Sequence, residues 1–268
     1  MSSSRDRPPL LWRLVHHAGG RVDAAYQVFD VVRSEVLAAS VPPRHWPSFV
    51  RSAYDANQLM RSDAHNASLY AWEQHAIDGF FPAAPATVLV GGAGAGREVR
   101  GLLERGYRVS AFDPAGALVD HGRAELHSDA LLAFAVGGYE ELISDELELR
   151  RHAPYDAVVL GWGSFSHVGD PAIRAALPRA LRALCPSGPV LISWIAQKPV
   201  GPKREALRRV LRASGLRHHD GATSYRPHQG FVHSPSEAAL RALAASGGYE
   251  VAHFDASVPY SVWIPASD

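Results

Sequence analysis

The chain has 268 residues, of which 47% are apolar and 20% are charged, and its formal net charge is zero. A neutral chain lacks the surplus of Lys and Arg that phosphate neutralisation requires, so nucleic acid is not expected as a partner, and no apolar run is long enough to span a membrane. The single cysteine, Cys185, excludes an internal disulfide and favours a reducing, cytoplasmic location.

The first part of the chain has a helical pattern. Amphipathic segments around residues 24–39, 46–61 and 66–79 precede a break at 80–85, where Pro82 and Pro85 cannot donate backbone hydrogen bonds. We therefore predict an N-terminal helical segment over residues 1–82 and an α/β domain over residues 83–268.

Strand and helix patterns alternate after the break. Strands are predicted at 86–90, 107–112, 131–136, 155–160, 189–194, 249–254 and 260–264, and helices at 97–105, 115–126, 170–184, 203–213 and 234–247, with an irregular stretch before Gly230. The last two strands are too close for a crossover helix, so they should pair antiparallel. The order predicts a three-layer α/β sandwich whose seven-stranded sheet is mostly parallel, with one antiparallel strand.

A glycine-rich turn follows the first predicted strand. It contains Gly91, Gly92, Ala93, Gly94 and Gly96, and a predicted helix leaves it. Glycine allows positive φ and close approach of a ligand, and the helix start offers free N–H groups. Such a loop can hold a nucleotide phosphate or the carboxylate of an amino acid. The alternative is a tight strand–helix turn without a ligand.

An acid ends the second predicted strand. Asp113, followed by Pro114, stands where a carboxylate can accept hydrogen bonds from the ribose hydroxyls of a bound cofactor. The alternative is a turn or N-cap aspartate, which is common before proline. The glycine loop and Asp113 together favour a cofactor that contains ribose.

The region from about residue 87 to 264 resembles the class I S-adenosylmethionine-dependent methyltransferases. The resemblance rests on four stretches: the alternating glycines at 92, 94 and 96, Phe112-Asp113-Pro114, the strand and loop at 155–168, and residues 231–251 before the terminal hairpin. It implies a Rossmann-like fold, S-adenosyl-L-methionine as the cofactor, and cofactor contacts from the glycine loop, Asp113, Pro114, Gly161 and Trp162.

The sequence departs from that family at two points. The family usually has an acid two positions before the first alternating glycine, where this chain has Val90, and Glu98 is a candidate replacement or a favourable charge in a first helical turn. The family often has an acid near the adenine amino group after the third strand, and here Tyr139 or Glu140 stands in that region.

The implied reaction is metal-independent methyl transfer in line from the sulfonium, in which positioning supplies most of the acceleration. A base is needed only if the acceptor must lose a proton, and His167 is the candidate. The alternative is a loop histidine outside the reaction.

The acceptor is expected to be a small molecule. Aromatic residues of the N-terminal helices suit an apolar or ring-containing molecule, so Tyr54, Tyr70 and Trp72 are candidate contacts, together with His233 near the expected cofactor mouth. The alternative is that these helices only pad the sheet. The acceptor atom and the oligomeric state are not specified by these patterns.

A histidine-rich stretch invites a metal interpretation. His218, His219, Asp220, His228 and His233 have no familiar zinc-ligand spacing, so no metal site is predicted.

Two other functions share the glycine loop and the ribose acid. An NAD(P)-dependent oxidoreductase has both features, although the terminal hairpin and the second half of the chain weigh against it. A cofactor-binding protein without activity is the other alternative, and Val90 in place of the acid favours it.

Overall fold

Two sheets contain the strands of the computed structural model, which describes residues 10–62, 66–197, 200–216 and 222–267. The strands are β1 (Thr87–Gly91), β2 (Arg108–Asp113), β3 (Leu131–Val136), β4 (Ala157–Leu160), β5 (Val190–Ser193), β6 (Thr223–Arg226), β7 (Gly230–His233), β8 (Tyr249–Asp255) and β9 (Tyr260–Pro265). The main sheet has the order β3-β2-β1-β4-β5-β9-β8, and β6 and β7 form a separate hairpin.

Strand direction in the main sheet follows the predicted pattern. Each pairing among the first five strands is parallel, whereas β9 is antiparallel to both β5 and β8. The predicted seven-stranded sheet with one reversed strand is therefore confirmed. Because β1 lies at the centre, the loops after β1, β2 and β4 meet at one edge of the sheet.

Helices precede the sheet and cover both of its faces. They are α1 (Leu10–Ser40), α2 (Trp46–Asp55), α3 (Ala71–Phe80), α4 (Arg97–Glu104), α5 (Gly116–Glu125), α6 (Tyr139–Ser144), α7 (Pro171–Leu184), α8 (Pro202–Ala213) and α9 (Glu237–Ser246). No helix among the described residues combines the length and apolar character required to cross a membrane.

Several element boundaries differ from those predicted. Helix α1 extends back to Leu10, α2 ends at Asp55, and α3 begins at Ala71 because the Glu73 carboxylate accepts a hydrogen bond from the Tyr70 N–H (2.7 Å) and caps the helix there. Helix α6 and the β6–β7 hairpin were not predicted. The N-cap of α9 is Ser236 rather than Ser234, whose hydroxyl donates to the Ile195 carbonyl.

The core lies on both faces of the sheet. Leu89 of β1 packs with residues of α7 and α9, whereas its neighbours Val88 and Val90 pack with residues of α3 and α4 on the other face. Burial on both faces explains why the parallel strands are continuous apolar runs.

Helix α2 packs against the β6–β7 hairpin through aromatic rings. Trp46 stacks on Phe231 with ring centroids 4.8 Å apart, and Phe49 meets the same ring edge-on at 5.4 Å. We call α2 and this hairpin the lid, because α2 faces the loops that follow the parallel strands and the hairpin contacts the loop after β4 at His167 through the Phe231 carbonyl.

Candidate active site

A cavity of about 280 Å³ lies between the lid and the carboxyl edge of the sheet. Its lining comes from the loops after β1, β2, β3 and β4 and from α2 and the turns beside it. The lining residues are Arg44, Pro47, Val50, Arg51, Tyr54, Met60, Asn66, Gly92, Ala93, Gly94, Ala95, Arg97, Glu98, Asp113, Pro114, Leu118, Gly138, Tyr139, Glu140, Glu141, Trp162, Ser164, His167 and Val168.

The glycine loop forms the floor of the cavity at Gly92, Ala93 and Gly94. Gly92 has φ +65°, and a Cβ there would lie 2.2 Å from Ser164 Cβ, so a side chain cannot be accommodated. Gly91 and Gly96 are not among the lining residues. Gly91 belongs to β1 and Gly96 precedes α4, so these two glycines shape the loop from behind.

Asp113 joins the ends of β1 and β2. Its Oδ2 accepts from the Gly94 N–H and its Oδ1 from the Ala115 N–H, both at 2.8 Å. Burial raises the pKa of this carboxyl to about 6, although the two backbone hydrogen bonds act in the opposite direction. Pro114 lines the cavity beside it. The carboxylate is thus held at the cavity wall with lone pairs left for a ligand.

Tyr139 and Ser164 link the loops after β3 and β4. The Tyr139 hydroxyl lies 2.8 Å from Ser164 Oγ, whose own contact is the Gly91 carbonyl at 3.3 Å. Burial raises the pKa of Tyr139 well above its usual value and also raises the pKa of Glu140, which lies beside it on the cavity wall. Ser164 was not predicted as a site residue, since a lone serine after a strand has no distinctive pattern.

Glu98 connects α4 to the loop after β4. Its Oε1 accepts the Trp162 backbone N–H at 2.8 Å, and the Trp162 side chain is half-exposed at the cavity rim. A Cβ on Gly161 would lie 2.9 Å from the same oxygen. The absence of a side chain at Gly161 thus allows the Glu98 carboxylate to approach this loop. Gly161 itself is not among the residues that line the cavity.

A buried ion pair fixes α3 to the glycine loop. Arg97 donates to both oxygens of Glu73 at 2.6 Å, and the two side chains are 3% and 1% exposed. Arg97 also donates to Glu98 at 2.7 Å, and its guanidinium lies 4.0 Å from the centre of the Tyr70 ring. The guanidinium thus joins Glu98, which lines the cavity, to Glu73, which is buried behind it.

His167 and Tyr54 meet across the cavity. The Phe231 carbonyl, 3.0 Å from His167 Nδ1, can only accept, so Nδ1 carries the proton and Nε2 accepts from the Tyr54 hydroxyl at 2.9 Å. Burial lowers the pKa of His167 to about 4 and raises that of Tyr54, so both groups are neutral near pH 7. The single proton of Tyr54 is committed to His167, which leaves its oxygen free to accept from a bound molecule.

The other predicted acceptor contacts lie outside the cavity lining. Tyr70 meets Trp162 edge-on at 5.7 Å, Trp72 packs against Tyr260 at 5.0 Å, and His233 lies 3.2 Å from Thr223 across the hairpin. Trp72 and His233 pack against these neighbours and do not line the cavity. Tyr70 does not line it either, but its ring contacts two residues that do, Trp162 and Arg97.

One face of α2 contributes three residues that sequence reasoning did not single out, beside the predicted Tyr54. Pro47, Val50, Arg51 and Tyr54 have the spacing of one helical face and all line the cavity, whereas Trp46 and Phe49 contact the hairpin. The helical period indicated that these residues share a face, but only the packing shows which face is turned to the site.

The histidine-rich stretch is described in part. His218, His219 and Asp220 lie outside the described residues, and within the described ranges no three His, Cys, Asp or Glu side chains form a group that could hold a metal ion.

The sequence of residues 88–188 matches the profile of a family described as a methyltransferase domain. Uncharacterized methyltransferases of Mycobacterium bovis and Mycobacterium tuberculosis are 35% identical over 126 residues, which is 46% of this chain and 46% of each relative. The match thus spans about half the length of these curated relatives.

Solved structures with the same fold cover most of the chain. A 1,6-didemethyltoxoflavin-N1-methyltransferase of Burkholderia thailandensis, with bound 1,6-didemethyltoxoflavin and S-adenosylhomocysteine, is 18% identical and covers 85% of this chain and 92% of its own, with a TM-score of 0.53. An amino pentose methyltransferase of Micromonospora echinaspora with bound S-adenosylmethionine is 15% identical and covers 78% and 98%, with a TM-score of 0.52. At such identities the likeness shows the fold alone.

Proposed function

We propose that this chain, whose residues 88–188 match a methyltransferase domain, is a class I S-adenosylmethionine-dependent methyltransferase and methylates a small molecule held beneath α2. The observation that carries the proposal is the cavity itself, where a glycine loop and a buried carboxylate face the underside of a helical lid. No observation favours an oxidoreductase.

The residues present fit the cofactor. The left-handed backbone at Gly92 and Gly94 leaves a floor without side chains, and Asp113 offers a carboxylate to ribose hydroxyls at the end of β2. Pro114 and Tyr139 offer apolar surface beside Asp113, against which the adenine ring of the cofactor can pack. We assign the cofactor to this half of the cavity, with Glu140 at its outer end.

When bound, S-adenosylmethionine supplies an electrophilic methyl carbon on a sulfonium, and the chain's own contribution is to place the acceptor in line with it. We assign the acceptor to the half of the cavity beneath α2, against Val50, Tyr54 and Val168. This division makes α2 the part of the N-terminal segment that covers the reacting groups, while α3 supports the glycine loop through Glu73.

Tyr54 is the proposed contact with the acceptor. Because its proton is committed to His167, its oxygen selects an acceptor that presents an N–H or O–H. His167 is a weak base, so we assign it chiefly to holding Tyr54 in place. A proton that leaves the acceptor would enter at Tyr54 Oη as the proton of Tyr54 moves to His167 Nε2.

Transfer of label tests the proposed function. Purified protein is incubated with methyl-tritiated S-adenosylmethionine and a dialysable metabolite extract, and we expect label in a dialysable product. A protein that binds S-adenosylhomocysteine but transfers no label to any acceptor fraction would favour the inactive cofactor-binding protein instead.

Replacing Tyr54 with phenylalanine is expected to raise the Michaelis constant for the acceptor by about 3- to 10-fold, since one hydrogen bond to the bound acceptor is lost. The dissociation constant of S-adenosylhomocysteine should change less than about twofold because the ring and its packing remain. Tyr26→Phe, at a position of α1 that is 61% exposed, is the matched control. Equal loss of cofactor and acceptor affinity in Tyr54→Phe would contradict the assignment.

A further inference from the structure

Glu98 presents an unpaired carboxylate oxygen to the cavity. The residue is 4% exposed and lines the cavity, and its Oε1 accepts from the Trp162 N–H and from Arg97. Its second oxygen, Oε2, makes no hydrogen bond within residues 10–62, 66–197, 200–216 and 222–267. Oε2 is open to the cavity, so a bound molecule that takes the place of solvent beside it has to offer this oxygen a hydrogen-bond donor.

The charge around Glu98 points to a cationic donor. Arg97 is shared between Glu98, which lines the cavity, and Glu73, which is buried behind it, so one guanidinium faces two carboxyl groups. The three side chains therefore comprise two carboxyl groups and a single guanidinium. A ligand group with a positive charge and N–H donors satisfies both the charge and the free oxygen.

The position of Glu98 relative to Asp113 indicates which part of the ligand it meets. Asp113 ends β2, whereas Glu98 contacts the loop after β4, and β1 lies between these two strands. Neighbouring strands lie about 4.8 Å apart, so the ends of β2 and β4 are separated by about two strand spacings. An amino-acid chain that extends from the ribose across the end of β1 brings its ammonium group to Glu98.

We propose that Glu98 binds the α-ammonium group of the amino-acid part of S-adenosylmethionine, with Arg97 and Glu73 holding its carboxylate in place. The inference rests on the proposed function and deepens it. Val90, which stands where the family usually has an acid, is fully buried in the core and lies outside the cavity lining. The sulfonium lacks a donor hydrogen and does not satisfy Oε2 in this way.

A double cycle between protein and ligand tests the proposal. Binding of three probes is measured by calorimetry. They are S-adenosylhomocysteine, its analogue without the α-amino group, and 5′-methylthioadenosine, which lacks the whole amino-acid part. In the wild type we expect the missing amino group to weaken binding at least about tenfold, as for a charge-assisted hydrogen bond. In Glu98→Gln the two homocysteine ligands should differ by less than about threefold, because an amide N–H replaces the free oxygen.

Controls separate this role from a structural one. Glu98→Gln keeps an oxygen for the Trp162 N–H, so 5′-methylthioadenosine should bind it as tightly as it binds the wild type. Glu237→Gln removes the charge of another glutamate in the first turn of a helix, that of α9. This control should leave the affinities for all three probes unchanged, and it excludes a general effect of an acid near a helix start.

Each outcome bears on one claim. Equal binding of the two homocysteine ligands by the wild type, or undiminished discrimination by Glu98→Gln, would overturn the role of Glu98 while the proposed function stands. If the wild type binds none of the three probes, the proposed function itself fails. If Glu98→Gln does not fold, Glu98→Asp, which keeps the charge but shortens the side chain by one methylene, takes its place and should likewise reduce the discrimination between the two homocysteine ligands.

Discussion

Replacing Asp113 with alanine is expected to weaken binding of S-adenosylhomocysteine at least tenfold, as measured by calorimetry. The variant loses the acceptor of two charge-assisted hydrogen bonds to the ribose, each of which contributes about 1.5–3 kcal/mol. The Gly94 and Ala115 N–H groups also lose their partner, so the loop becomes less ordered as well. An unchanged dissociation constant in the folded variant would refute the ribose role of Asp113.

The pH dependence of binding is a second readout of this carboxylate. Since the pKa of Asp113 is raised from its usual 3.8 to about 6, affinity in the wild type should fall as the pH drops through about 6. At a pH about one unit below this pKa, about a tenth of the Asp113 carboxyl groups are ionised, so the dissociation constant of the ligand should rise about tenfold. Asp113→Asn should abolish this dependence.

The free energy of unfolding of the ligand-free protein should change with pH in the opposite direction to the affinity for the cofactor, because the same carboxyl of Asp113 is responsible for both. Between pH about 4 and about 6 the folded state holds a proton on Asp113 that the unfolded chain has released. The contribution of Asp113 to folding stability is therefore present at low pH and is lost as the pH rises through about 6. Comparing unfolding of the wild type and Asp113→Asn over this range isolates the effect.

Arg97→Met is expected to lower the free energy of unfolding by about 3–5 kcal/mol, the usual cost of removing one partner from a buried ion pair. The variant leaves Glu73 and Glu98 buried together without a counter-charge. Burial already raises the pKa of Glu73, so part of the loss should be recovered at lower pH, where the carboxyl binds a proton in the folded state. Urea unfolding at several pH values measures both effects.

Arg105→Met is the matched control for that variant. Arg105 follows the same helix and pairs with Asp78, but their side chains are 34% and 62% exposed. A solvent-exposed pair contributes about 0–1 kcal/mol, so this substitution should be nearly neutral. If Arg97→Met were equally mild, the buried cluster would not be what fixes α3 to the glycine loop.

The sequence predicted the sheet because the parallel strands carry their own signal. Val88, Leu89 and Val90 form a continuous apolar run that ends in glycine, and β3 and β4 likewise are apolar runs followed by glycine. The short spacing of the last two strands also predicted the reversed strand. Such signals are local, so one sequence is enough to find them.

The lid and the acceptor half of the site depend on contacts between distant residues. The β6–β7 hairpin has short strands, and Phe231 is buried where Trp46 and Phe49 of α2, together with Tyr225, pack against its ring. Tyr54 and His167 are likewise 113 positions apart. The sequence pattern therefore could not distinguish Tyr54, which lines the cavity, from Trp72, which packs on Tyr260.

The most direct measurement compares S-adenosylhomocysteine and NAD as ligands of the purified wild-type protein by calorimetry. Both contain an adenosine ribose that Asp113 can bind, but the amino-acid part suits the free Glu98 oxygen, whereas a pyrophosphate would place further negative charge beside it. We predict a dissociation constant in the micromolar range for S-adenosylhomocysteine and much weaker binding of NAD. Tighter binding of NAD would contradict the proposal that this protein is a methyltransferase.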